Sequence, residues 1–234
     1  MTASQPLILL KARPLPLQLA DRLAPPVPDG IELYIHEDDV SGAEWLETLA
    51  ARFAALPVAP DFTWIVEGPV WSLDGELFGL CRNREIDREL TQRLIRLAVH
   101  LGAAAVNVHC VEGSPDPAVL DEARRREALE QAVPFLRWYV DQCGDAGVAP
   151  LIENVPPVCR MRRGAFIFTP IGVEPRDLLE CVGAAPGLGL TLDTSHAQLA
   201  VNAFRGTTVP EVTGTYADAV GLAAAEAYYR GLGG

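Results

Sequence analysis

The sequence predicts an α/β protein of the (β/α)₈ barrel type, with about six β/α units present. Short apolar runs alternate with longer stretches of helical period, as repeated strand–helix units require. Polar residues follow the strands at their carboxyl ends, which is where barrel active sites are assembled. No glycine-rich phosphate loop follows the first strand, which disfavours the dinucleotide-binding form of an open sheet.

The predicted strands are apolar at both odd and even positions, as in strands that are covered on both faces. They are "LILL" (7–10), "IELYI" (31–35), "FTWIV" (62–66), "AVNV" (105–108), "VAPLI" (148–152) and "LGLTL" (188–192). Longer stretches between them, such as 42–56, 84–102 and 121–147, predict helices.

The third of these helices is predicted to bury one face. Its apolar residues recur at spacings of three and four, which is typical of a helix that packs on a core. They are Leu129, Val133, Leu136, Val140 and Cys143. Gly102 and Gly147 follow their helices at the position where a left-handed residue is expected.

Size, composition and charge favour a single domain that acts on small molecules. The chain has 234 residues, of which 49% are hydrophobic, so residues 1–234 can form one sizeable core. A net charge of −12 opposes binding to nucleic acid. The five cysteines are odd in number and scattered, as expected of reduced cytoplasmic thiols. Neither a signal peptide nor a membrane-spanning run is recognisable. The sequence leaves open whether the protein forms a homo-oligomer.

Two acidic residues and a histidine form the main candidate site. Glu153 and Asp193 each follow an apolar run, and His196 comes three positions after Asp193. Carboxylates and a neutral imidazole suit a divalent cation such as Mn²⁺, Mg²⁺, Zn²⁺ or Co²⁺. Three structural alternatives compete: Asp193 could cap a helix, Glu153 could form a buried ion pair, and His196 could be an ordinary polar residue of a first turn.

Other polar residues at strand ends are weaker candidates. His109 follows "AVNV" and is expected to line the site, although many such histidines belong to a core. Glu67 follows "FTWIV", and His36 follows "IELYI" in what could be a solvated loop. Arg160, Arg162 and Arg163 are predicted in a loop after Glu153, where they either clamp an anionic substrate group or remain solvated.

Four segments resemble the xylose isomerase-like barrel superfamily, which contains sugar phosphate isomerases and epimerases, ketose 3-epimerases and endonuclease IV-type enzymes. They are "VEGPVWSLDGELF", "LGAAAVNVHC", "PLIENVPP" and "LTLDTSHA". The resemblance implies that Glu153 is a metal-bound carboxylate and an acid/base, and that Asp193 is a metal ligand. It implies that His196 binds metal in the nuclease branch or substrate in the epimerase branch, and that His109 lines the site in both.

The sequence departs from this family in two respects. Glu67 stands where the nuclease branch has a histidine ligand, which disfavours a trinuclear zinc nuclease. After Asp193 only the helical stretch 215–234 is recognisable. The family's last two strands, with a further metal-binding histidine and a second catalytic glutamate, have no recognisable counterpart. We therefore expect a C-terminally incomplete barrel, or one that a partner completes.

The resulting expectation is a divalent-metal-dependent isomerase or epimerase that acts on a sugar, sugar phosphate or polyol. Glu153 and His109 are the expected catalytic residues, and Glu153, Asp193 and His196 the expected metal ligands. His109, His196, Glu67 and Arg160 are expected to contact the substrate. The alternatives are an abasic-site phosphodiesterase and a non-catalytic relic.

Overall fold

The strands follow one another through the sheet in chain order. The computed structural model describes residues 6–114, 122–156, 158–160 and 166–204. Among them, six strands form one sheet in the order β1-β2-β3-β4-β5-β8. They are β1 (Leu9–Ala12), β2 (Gly30–Tyr34), β3 (Thr63–Glu67), β4 (Ala105–His109), β5 (Ala149–Glu153) and β8 (Gly189–Thr191).

The pairing from β1 to β4 is parallel throughout. The strand order contains no reversal, whereas a doubly wound sheet reverses its order at a switch point. The predicted fold class, a (β/α)₈ barrel type with about six units, is confirmed.

A small second sheet lies outside this series. It consists of β6 (Val158–Arg160) and β7 (Phe166–Phe168), which pair in antiparallel fashion. The prediction that Arg160 lies in a loop is wrong, since its backbone belongs to β6. The alternation of so short a strand is too brief to distinguish it from a loop.

Six α-helices occur among the described residues, together with a 3₁₀-helix at Glu37–Val40. They are α1 (Pro16–Arg22), α2 (Trp45–Ala54), α3 (Glu85–Leu101), α4 (Glu122–Ala146), α5 (Pro175–Ala184) and α6 (Thr194–Phe204). The left-handed glycines are confirmed, with φ of 61° at Gly102 and 72° at Gly147. The helix expected over 215–234 lies outside the described residues. None of the described helices has the length and apolar character needed to cross a membrane.

The buried face of α4 differs partly from the predicted one. Leu129, Leu136 and Cys143 are buried as expected, but Val133 and Val140 are only half-buried. Phe135 and Tyr139 are fully buried instead. Aromatic side chains remove more apolar surface from water than valine does, so the helix gains more by burying them.

The chain divides into two compact units. The first comprises Met1–Glu76, Arg84–Val108 and Trp138–Leu151, and the second comprises Leu77–Asn83, His109–Arg137 and Ile152–Gly234. In the first unit, Leu33, Val66 and Val106 share one register row and are fully buried. Successive residues of a strand point to opposite faces, so the next row, Tyr34, Glu67 and Asn107, belongs to the other face.

Tyr139 of α4 makes a polar contact inside the core of the first unit. Its hydroxyl donates to the carbonyl of Val106 at 2.7 Å and accepts from the amide of Leu151 at 3.4 Å. Burial raises the pKa of this phenol well above its ordinary value. The neutral hydroxyl of Tyr139 thus connects α4 by hydrogen bonds to the backbone of both β4 and β5.

We expect Tyr139→Phe to lower the free energy of unfolding by about 1–2 kcal/mol, because the Val106 carbonyl loses this buried donor. Urea unfolding followed by circular dichroism measures the loss. Ser41→Ala removes an exposed hydroxyl that donates to the Asp38 carbonyl, and it should cost less than about 0.5 kcal/mol. Equal losses of unfolding free energy in the two variants would contradict the proposed contribution of the Tyr139 hydrogen bond.

In the second unit, Arg125 of α4 joins α4 to α5. Its guanidinium lies 2.6 Å from Asp177, 2.9 Å from Glu180 and 3.3 Å from Glu122. Asp177 also accepts the amide of Glu174 at 3.0 Å, just before α5 begins. Burial raises the pKa of the Asp177 carboxyl, although the contact with Arg125 opposes that effect. The arginine therefore balances a charge that is costly to bury.

Arg125→Ala should lower the free energy of unfolding by about 3–5 kcal/mol, since it leaves the Asp177 carboxylate buried without its cation. Its neighbour Arg124 is 61% exposed and pairs with Glu127 on the same helix. Arg124→Ala is the matched control and should stay within about 0.5 kcal/mol of the parent. Thermal and urea unfolding both report the difference, and a loss below about 1 kcal/mol for Arg125→Ala would refute the assignment.

Candidate metal centre

Glu153 is the last residue of β5, and its side chain is only 2% exposed. Its carbonyl accepts the amide of Cys110 at 2.8 Å, the residue that follows β4. Just beyond it, the amide of Val155 donates to the carbonyl of Gly172 at 2.8 Å. Gly172 has φ of +81°, and a Cβ at this position would come within 1.9 Å of the Cys110 carbonyl. A glycine is therefore required where this loop supports the end of β5.

Asp193 lies two residues after β8 and caps α6. One carboxylate oxygen, Oδ1, accepts the amides of Ser195 at 2.7 Å and of His196 at 2.9 Å. This is the capping alternative that the sequence left open, and it is present. The other oxygen, Oδ2, lies 3.7 Å from Nδ1 of His196. Because Oδ1 makes the capping bonds, Oδ2 remains directed towards the imidazole of His196.

Glu153, Asp193 and His196 come together within the second unit. Each offers one ligand atom, and these atoms lie within 4.8 Å of one another. Nδ1 of His196 is 3.7 Å from Oε1 of Glu153. The side chains of Asp193 and His196 are 26% and 24% exposed, so solvent reaches a group whose third member is buried. Two carboxylates at this separation repel each other, and a cation between them would offset that repulsion.

His109 lies close to one member of this group, Glu153. It is the last residue of β4 and is buried. A ring nitrogen of His109 lies within 4.8 Å of a carboxylate oxygen of Glu153. The hydrogen bond from Cys110 to the Glu153 carbonyl holds the two strand ends side by side. Glu153 of β5 thus has ligand atoms of His109, at the end of β4, and of Asp193 and His196, at the start of α6, within 4.8 Å.

The thiol beside His109 contributes no ligand to this group. Sγ of Cys110 lies 3.9 Å from Sγ of Cys181, and both thiols are buried. The hydrogen bond with Cys181, together with burial, raises the pKa of Cys110 well above its ordinary value. A thiolate is the form that binds metals, so this cysteine is a packing residue.

Asn154 is a further residue of this region, and no pattern in the sequence predicts a role for it. It follows Glu153 directly and is buried. Its side-chain amide donates to the Asp193 carbonyl at 3.0 Å, and its Oδ1 accepts the Asp193 amide at 2.7 Å. Its own carbonyl lies 2.9 Å from Nδ1 of His196. The only signal in the sequence is its place beside Glu153, in the motif "ENVP".

Glu67 and His36 lie in the first unit. Glu67 ends β3, is buried, and has Oε2 only 2.6 Å from Nζ of Lys11. The Lys11 ammonium also lies 5.5 Å from the centre of the Tyr34 ring. His36 is buried, its ring packs edge-on against Tyr34, and it caps the 3₁₀-helix. The prediction that His36 could lie in a solvated loop is therefore wrong, because the turn after β2 packs its imidazole against Tyr34, the last residue of that strand.

The arginines proposed as a clamp are only partly described. The backbone of Arg160 lies in β6, but its side chain is outside the described part of the structure. Arg162 and Arg163 lie outside the described residues altogether. Their contact with a substrate stays a prediction.

Known structures share this fold. A family model described as "Xylose isomerase-like TIM barrel" matches residues 29–229. An AP endonuclease of family 2 from Brucella melitensis is 17% identical with a TM-score of 0.57, and the match covers 83% of this chain and 71% of that one. A D-allulose 3-epimerase from Methylomonas sp. is 15% identical with a TM-score of 0.56, over 83% and 66%.

A third similar structure is a protein from Thermus thermophilus that was soaked with ZnCl₂. It is 18% identical with a TM-score of 0.55, and the match covers 81% of this chain and 68% of that one. The chain thus spans about two thirds of the lengths of the structures it resembles. No curated protein sequence matches it. The match of the family model over most of the chain identifies it as a member of the xylose isomerase-like TIM barrel family.

Proposed function

We propose that this protein is a divalent-metal-dependent isomerase or epimerase that abstracts a proton next to a carbonyl of a sugar-like substrate. One observation carries the proposal: Glu153, Asp193 and His196 converge on one point, with ligand atoms within 4.8 Å of one another. The donor set fits a divalent cation such as Mn²⁺, Mg²⁺, Zn²⁺ or Co²⁺, because it combines two carboxylates with an imidazole. When bound there, such a cation would polarise a substrate carbonyl and lower the barrier to removing the neighbouring proton.

The protein's own residues supply the remaining steps. Glu153 is buried and ends a strand, so its carboxylate is held at a defined position. It takes the proton from the carbon next to the carbonyl, the electron pair of that C–H bond shifts towards the carbonyl oxygen, and the carboxyl group then returns a proton to a carbon of the substrate. His109, within 4.8 Å of Glu153, and His196 orient the substrate hydroxyl groups. The exposed fraction of Asp193 and His196 provides the side from which a small polar molecule enters.

The structural neighbours are consistent with this chemistry without assigning it. One of them is a D-allulose 3-epimerase and another is a D-tagatose 3-epimerase-like protein. Sequence identity to these proteins is low, so they support the fold, and the substrate class is our inference from the polar groups at the strand ends. The net charge of −12 argues against the phosphodiesterase alternative, because a DNA backbone would be repelled.

Proton exchange with solvent is the direct test, since it requires only one base. We expect ketoses and inosose-type polyols, incubated in D₂O with the Mn²⁺-loaded protein, to gain deuterium next to the carbonyl, as read by proton NMR. Glu153→Gln should slow the exchange by about 10²–10⁴-fold. Glu130→Gln changes an exposed glutamate of α4 and should leave it unaltered. Metal binding with no exchange in any substrate would refute the proposed reaction.

Metal binding separates the two roles of Asp193. Asp193→Asn keeps an oxygen that caps α6, so the free energy of unfolding should change by less than about 0.5 kcal/mol. The substitution removes a negative charge from the metal site, so the affinity for Mn²⁺ should fall by at least about 100-fold. That value is the largest loss of affinity usually seen when a residue that only orients a metal ligand is removed. Titration calorimetry measures the affinity, with the exposed Asp141→Asn as the matched control. An unchanged affinity in Asp193→Asn would mean that Asp193 only caps the helix.

A further inference from the structure

Asn154 connects the members of the site. It contacts Asp193 through its side chain and His196 through its main-chain carbonyl. It also follows Glu153 directly in the chain. One buried residue therefore touches or adjoins every member of the three-residue group.

The side chain of Asn154 acts as an extra peptide unit between two strand ends. β5 ends at Glu153 and β8 ends at Thr191, so Asp193 lies beyond the paired part of the sheet. The Asn154 amide group donates to the Asp193 carbonyl and accepts from the Asp193 amide, as a backbone group of a neighbouring strand would. These two bonds fix the main chain of Asp193 on both sides of its Cα, and so fix the direction of its side chain.

The carbonyl of Asn154 determines which nitrogen of His196 carries the proton. Nδ1 lies 2.9 Å from that carbonyl and 3.7 Å from both Oε1 of Glu153 and Oδ2 of Asp193. All three neighbours are oxygen acceptors, so a lone pair on Nδ1 would be repelled and an N–H there is favoured. Nε2 then carries the lone pair of the neutral ring.

We propose that Asn154 is a positioning residue that presents Asp193 and the Nδ1–H tautomer of His196 to the site, so that Nε2 is the nitrogen that binds a metal ion or accepts a substrate hydroxyl. This inference rests on the proposed metal site for its effect on affinity. The tautomer itself is a property of the metal-free protein. The two parts can therefore be tested separately.

The first test is made on the metal-free chain. Four histidines give a simple long-range ¹H–¹⁵N spectrum, and the signals of His196 are assigned by their loss in His196→Gln. At a slightly alkaline pH, where imidazoles are neutral, we expect the pattern of an Nδ1–H ring. A proton on Nε2 would overturn the assignment.

The second test measures the affinity for Mn²⁺ alone by titration calorimetry. Asn154→Ala should lower the affinity by about 10–100-fold, the range seen when a residue that orients a metal ligand is removed. Thr91→Ala is the matched control, since it removes another buried side-chain hydrogen bond, to the Asp87 carbonyl, that involves none of the site residues. It should reduce thermal stability and leave the affinity unchanged.

The outcomes distinguish the inference from the proposed function. If the parent chain binds Mn²⁺ and Asn154→Ala binds it equally well, Asn154 is only structural and the inference is overturned. If the parent chain binds no divalent metal, the proposed function fails, and the tautomer in the metal-free spectrum still decides the assignment of His196.

Discussion

The candidate site depends on the hydrogen bonding between Asn154, just after β5, and Asp193, two residues after β8. β8 contains only three residues, so its own ladder ends before Asp193 is reached. The Asn154 side chain continues the connection with two bonds to the Asp193 main chain. Without them only the capping bonds to Ser195 and His196 would hold Asp193 in place. The position of this carboxylate therefore depends on one buried amide together with the start of α6.

The same residues stabilise the fold and carry the proposed chemistry. Asp193 uses one oxygen to cap α6 and directs the other towards His196. Glu153 uses its carbonyl to join β4 to β5, while its carboxylate lies in the group. Because each role uses different atoms, neither excludes the other. Helix capping and ligand binding were competing interpretations in the sequence, and the geometry makes them compatible.

The charges of the second unit are arranged in two different ways. Around Asp177, a buried carboxylate meets the guanidinium of Arg125, and the pair joins two helices. Around Glu153, the described contacts bring two carboxylates and one imidazole together. The first contact is an ion pair within the protein. The second brings together ligand atoms of the kinds that divalent cations bind.

The sequence by itself determined the six strands of the main sheet, the left-handed glycines after α3 and α4, and Glu153 and Asp193 as acidic residues that follow strands. These features depend on local periodicity and on the conformational preferences of single residues. Only the tertiary structure decided the role of Asn154, the antiparallel pairing of β6 with β7, and the orientation of the His196 ring. Asn154 and Asp193 are 39 positions apart, and their contact depends on how the strand ends align. Such alignment is a property of the folded sheet, so no local pattern encodes it.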